Sequence, residues 1–210
     1  MRTLFRSEQV GRASLSGANV TASLLTLAWL AGAMLLLQVV NSLTGSWLTQ
    51  HLGITPRTLE GLLGILFAPL LHAGWSHLWS NLALVVAFGF LVRLGGPTQF
   101  VGVTAVIWLV SGLGIWLTAP AGSVTIGASV LVFGWLAYLV VRGFLRRAVG
   151  QILLGIVLLA IWGSIFWTGI ALAAFGPGSV SWQGHLFGAV GGVLAAWLVA
   201  RADGTVGARR

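Results

Sequence analysis

The sequence predicts an all-α membrane protein of six apolar spans joined by one long and several short loops. Three observations predict this. The chain has 210 residues, 58% of them hydrophobic and only 7% charged. A soluble domain of this size cannot hide that much apolar surface, because small domains leave a large share of their surface wet. Apolar runs long enough to cross ~30 Å of hydrocarbon recur along the chain. The arginines punctuate those runs with a strong bias to one side.

Residues 1–21 form a polar tail with Arg2, Arg6 and Arg12. Six spans follow, at 22–41, 77–93, 99–119, 127–142, 149–173 and 183–201, and residues 202–210 form a second tail. The first run is long for a signal-peptide core and lacks a clear small-residue cleavage site, so it reads as a retained helix. The insertion 42–76 holds Pro56, Pro69 and a half-length apolar stretch from Leu62 to Ala68. That stretch is too short to cross, which makes it re-entrant or interfacial. One domain, 22–201, accounts for the spans.

Six spans place both ends of the chain on one side. Ten of the eleven arginines fall on that side, and only Arg57, in the long insertion, falls on the other. The positive-inside rule then puts both termini in the cytoplasm. Spans 2, 4 and 6 run from outside to inside. At ~1.5 Å per helical residue, Ser129 stands roughly 20 Å above Arg142, with His77 and His185 roughly 24 Å above Arg93 and Arg201. These polar residues therefore share a level somewhat below the outer surface.

Composition also excludes chemistry. There is no cysteine, which removes disulfides, thiolate catalysis and cysteine-held metals. Glu8, Glu60 and Asp203 are the full set of acids, and none lies within a span. A buried Ser-His-Asp triad and an aspartyl dyad are excluded with them. The basic charge is scattered at span ends, so topology explains it better than nucleic acid does.

Four polar residues inside or at the head of spans are the candidates for chemistry. Ionisable groups at such depth are functional candidates. Ser129 lies two residues after Gly127, at a helix head where free N–H groups can hold an oxyanion. A lone serine in a span more often bonds back to its own helix or a neighbour. His185 is followed by Gly188 and Gly192, which share a face with Gly184 and let another helix approach closely. GxxxG spacing alone more often marks ordinary packing, but a buried imidazole needs a partner. Contact between spans 4 and 6 would bring Ser129 and His185 within reach. His77 and Asn81, at i and i+4, share a face of span 2 and offer two donors toward an oxyanion. The bland reading of that pair is a polar face on a water-filled cavity. His72, on the preceding loop, has a structural or supporting role. With no carboxylate to orient it, His185 must be held by packing, and slow turnover is expected.

Gly127-Ala128-Ser129, Gly184-His185 with Gly188 and Gly192, and His77-Leu78-Trp79-Ser80-Asn81, in this order on spans 2, 4 and 6, resemble the rhomboid family of intramembrane serine proteases. The resemblance runs from about His72 to Ala200. It implies a six-transmembrane-helix rhomboid-like bundle with a long, partly embedded first loop. It implies Ser129 as nucleophile, His185 as general base and His77 with Asn81 at the oxyanion. Val130 departs from the glycine usual after the nucleophile, and the loop's usual Trp-Arg pair is absent, Pro56-Arg57 being the nearest basic feature. The expected function is cleavage of transmembrane protein substrates near the outer leaflet, with no cofactor, metal or nucleic acid. The expected setting is the lipid bilayer of a bacterial plasma (inner) membrane. The alternative is an inactive relative that binds transmembrane clients, with Val130 its best support. A metal carrier using His72, His77 and His185 is weaker, because carboxylate and cysteine ligands are missing.

Overall fold

A computed structural model describes residues 16–175 and 181–207 of the chain. The tail readings over 1–15 and 208–210 lie outside the described residues. Helices α1 (Gly17–Leu43), α4 (Trp75–Arg93), α5 (Pro97–Thr118), α6 (Ser129–Arg146) and α10 (Trp182–Gly207) are each long and apolar enough to span a membrane. The expected fifth span is not straight. It is α7 (Val149–Trp162) followed by the segment Ser164–Phe175, and the two parts meet at a 56° bend. That segment is α8 (Ser164–Phe166), a π-helical turn (Trp167–Leu172) and α9 (Ala173–Phe175). The count is therefore five straight spans, or six with the bent pair.

α6 is the centre of the bundle. Leu131, Trp135, Leu136 and Tyr138 are each completely buried. α10 packs along α5 and α6, while α4 and α7 also lean on α6. Small residues set these approaches. A Cβ on Gly192 would strike the Gly134 carbonyl, and one on Gly188 would strike the Val130 carbonyl. α1 is the outermost span and rests on α4, where Leu27 fills the space that a side chain at Gly89 would need.

The insertion between α1 and α4 contains α2 (Trp47–Leu52) and α3 (Leu59–Phe67). α3 carries the half-length apolar stretch. It keeps Leu59, Leu62, Leu63, Leu66 and Phe67 exposed, as an element lying against lipid would. Its inner face fits closely, because Gly61 and Gly64 admit the backbones of Thr55 and Gly53. Two indoles fix it to α5: Trp108 Nε1 donates to the Ile65 carbonyl at 2.6 Å, and Trp116 Nε1 to the Thr58 carbonyl at 2.8 Å. Arg57 donates to the carbonyls of Leu117 and Ala119, at 3.0 and 2.9 Å. It thereby caps the C-terminus of α5 with a cation, which complements the helix dipole. Arg93 lies at the opposite end of the bundle. There Arg146 of α6 pairs with Asp203 of α10 at 2.9 Å.

Candidate active site

The loop that leads into Ser129 is held in place by the insertion. Ile54 and Thr125 exchange both backbone hydrogen bonds, each 3.0 Å. The Gly127 N–H donates to the Ala68 carbonyl at 2.8 Å. Gly127 itself has φ +120°, a conformation that L side chains rarely adopt, and a Cβ there would lie 2.8 Å from His77 Cε1. Glycine is thus required by backbone and by space. Ser129 then opens α6 half-buried, at the end where first-turn N–H groups lack partners within the helix.

His185 sits in the first turn of α10 and is 8% exposed. Its Nε2 lies 2.9 Å from Ser129 Oγ. Its Nδ1 lies 2.8 Å from the carbonyl oxygen of Gly169, in the π-helical turn. A carbonyl can only accept, so Nδ1 carries the proton of the neutral ring. Nε2 is then left with a lone pair directed at the serine hydroxyl. The imidazole also lies flat on the ring of Phe133, with centroids 4.0 Å apart and planes 4° from parallel. Phe166 meets Phe133 edge-on at 5.6 Å. Packing does hold His185, as the sequence leads one to expect, but a backbone carbonyl shares that task.

His77 faces the same space from α4. Its Nδ1 accepts from the Ala73 N–H at 3.4 Å, which places the proton of the neutral ring on Nε2 as a donor. Asn81 commits one amide N–H to the His77 carbonyl at 2.8 Å and has a second to offer. His72 is 1% exposed and meets the His77 ring edge-on at 5.1 Å. Burial, reinforced by the neighbouring His77, pushes its pKa from the ordinary 6.5 down to about 4.

Ser129, His185, His77 and Asn81 line one cavity of about 600 Å³. It is large enough for an extended peptide segment of a few residues and holds polar groups on an otherwise apolar wall. The arrangement offers a hydroxyl, a base aligned on it and donors across the cavity. That is the equipment for nucleophilic attack on a carbonyl. Val130 also lines this cavity. Its side chain seats against Gly184, where a Cβ would come within 3.2 Å of Val130 Cγ1. On that side the bulk of Val130 faces a position of α10 that carries no side chain.

Two contributors escape sequence reasoning. Gly169 is one glycine among thirty, and nothing in its neighbourhood signals a π-turn. Phe133 stands four residues after Ser129, hence on the same helix face. That spacing is the signal by which an aromatic support could be found.

Comparisons with known proteins give the family. The family model of the Rhomboid domain matches residues 60–202. An uncharacterized protein of Mycobacterium tuberculosis is 46% identical over 170 residues, covering 78% of this chain and 70% of its own length. A putative rhomboid protease of Bacillus subtilis is 32% identical over 133 residues, covering 61% of this chain and 63% of its own. The chloroplastic rhomboid-like protein 11 of Arabidopsis thaliana is also 32% identical, covering 62% of this chain and 50% of its own. No solved structure matches the chain significantly. The family match spans four of the five straight membrane helices, the bent pair and every residue of the cavity's polar set, so the chain belongs to the rhomboid family.

Proposed function

We propose that this protein is an intramembrane serine endopeptidase that cleaves transmembrane segments of membrane proteins near the outer leaflet. The observation that carries this reading is the 2.9 Å contact between Ser129 Oγ and His185 Nε2, made by a ring whose other nitrogen is already committed to a carbonyl. Ser129 Oγ attacks the scissile carbonyl carbon while its proton passes to His185 Nε2. The oxyanion forms opposite the His77 Nε2–H, the free Asn81 N–H and the Ser129 backbone N–H. His185 then gives the proton to the leaving amine, the peptide C–N bond breaks, and an acyl-serine remains. A water activated by the same nitrogen releases the new carboxylate and restores the hydroxyl. The substrate helix must unwind to present a carbonyl, so helix-breaking residues favour cleavage.

The arginine asymmetry supports cytoplasmic termini and an active site toward the outer face of a bacterial plasma membrane. The client-binding alternative rests on Val130, which lines the cavity beside Ser129. The test is a fluorophosphonate probe on the protein purified in detergent, together with cleavage of transmembrane reporter substrates in vesicles. Labelling of wild type and none of Ser129→Ala is expected. Equal labelling of the two proteins would refute the assignment.

A further inference from the structure

We propose that the bent segment Ser164–Phe175 is a positioning element for the base, and that docking of this segment, through the Gly169 carbonyl, sets the tautomer and orientation of His185. The inference rests on the serine-protease reading for its consequence, but its geometric content is independent of turnover.

Three observations carry it. First, the carboxylate within a spanning helix, Asp203, lies at the other end of α10 from His185 and pairs with Arg146, so the role that an acid plays in a triad falls to whatever touches Nδ1. That group is the Gly169 oxygen, 2.8 Å away. Second, the approach is possible only because residue 169 has no side chain. A Cβ there would press on the Phe133 ring and lie 2.9 Å from His185 Nδ1. The π-helical winding turns this carbonyl off the α-helical path toward α10, and π-turns inside helices often occur at functional sites. Third, few of the segment's side chains pack on the rest of the bundle. None of its residues is buried, and Trp167, Leu172 and Phe175 are exposed at 64%, 52% and 91%. Ile165 and Phe166 are its only hydrophobic side chains among those packed against the core. A segment with so few buried contacts opens locally far more cheaply than the bundle as a whole.

Together these make the base conditional. With the segment docked, Nδ1 is protonated and Nε2 accepts from Ser129. With it displaced, Nδ1 loses its acceptor, the second tautomer becomes accessible, and a proton on Nε2 blocks removal of the serine proton. The device differs from a carboxylate partner because it adds no charge to the imidazolium formed in the reaction. It selects the tautomer, and it ties that selection to the conformation of one span.

The experiment compares wild type, Gly169→Ala and Phe166→Ala in detergent, with ¹⁵N-histidine labelling. The first variant obstructs the carbonyl's approach. The second leaves that carbonyl chemically intact and removes the edge-on ring that docks the segment. In wild type, His185 is expected to show a protonated Nδ1 and an unprotonated Nε2. Both variants are expected to shift those resonances toward a tautomer mixture, and to slow fluorophosphonate labelling by tenfold or more for Gly169→Ala and several-fold for Phe166→Ala. The probe is small and need not enter between helices, so slower labelling reports the base and not substrate access. Unchanged nitrogen resonances in either variant, provided it keeps the wild-type helical circular dichroism, would overturn the proposal. So would an unprotonated Nδ1 in wild type. If wild type and Ser129→Ala label equally, the protease reading fails separately, and the resonances still decide whether Gly169 sets the tautomer.

Discussion

Gly192 of α10 lies directly against the carbonyl of Gly134 in α6, with no room for a methyl group between the two backbones. Four residues earlier, Gly188 meets the Val130 carbonyl in the same way. One turn further toward the helix start, His185 meets Ser129. The small-residue stripe is therefore the ruler that sets the separation of His185 and Ser129.

A graded response to alanine follows from that stripe. At Gly188 and Gly192 the obstacle is backbone, which cannot move aside, so Gly188→Ala and Gly192→Ala push α10 away from α6. At Gly184 the nearest atoms are side chains, Ile115 Cδ1 and Val130 Cγ1, both 3.2 Å from the added Cβ. Overpacking of a core typically costs about 1–3 kcal/mol. The first two variants are expected at the upper end of that range with labelling nearly abolished, and Gly184→Ala at the lower end with labelling retained. Thermal unfolding in detergent beside probe labelling checks the order. Equal loss in all three variants would contradict it.

Much of this was legible in the residues. Charge scarcity and arginine placement gave the span pattern, and polar residues in apolar runs gave Ser129, His185, His77 and Asn81. The gap lies where backbone, not side chain, does the work. The bend after Trp162 and the π-turn around Gly169 leave no mark on hydropathy, because a π-turn needs no particular side chain. Arg57 is legible as the arginine of the long insertion, but its place at the end of α5 depends on a left-handed backbone at φ +60° that spacing does not reveal. Val130 is legible in the sequence as the bulky chain neighbour of Ser129, whereas the glycine opposite it on another helix is not.

Oxyanion donors are expected to contribute unequally. His77 has one ring nitrogen occupied by Ala73 and the other free to donate. Asn81 has already spent one N–H on the His77 carbonyl. Removing a single oxyanion donor typically lowers kcat about 10²–10³-fold. His77→Ala is expected within that range and Asn81→Ala at or below its lower end. KM should change little for either, because the interaction develops only in the transition state. A loss expressed mainly in KM would assign these residues to substrate binding instead.

Phe133 supports the imidazole by face contact alone. Phe133→Tyr retains the ring and is expected to retain labelling. Phe133→Ala leaves His185 free to tilt away from Ser129 and is expected to reduce labelling by more than tenfold, with a destabilisation of about 3–5 kcal/mol from the truncated aromatic. Labelling of Phe133→Ala at the wild-type rate would show that the Gly169 carbonyl suffices to hold the ring.

His72 gives the loop before α4 a pH sensitivity. Its pKa is lowered from 6.5 to about 4 in the folded protein, first by burial and then by the neighbouring His77. Between those values the unfolded chain binds a proton that the folded chain does not, so stability rises with pH across the window. The contribution is complete above pH ~6.5 and is lost as pH falls through that value toward ~4, where the folded form must also accept the proton. His72 backs the His77 ring edge-on, so its protonation would place a cation against that ring. Thermal midpoints measured from pH 7 to pH 4 are expected to fall for wild type and to fall less for His72→Gln, which does not titrate. Parallel curves for the two proteins would remove His72 as a source of the acid sensitivity.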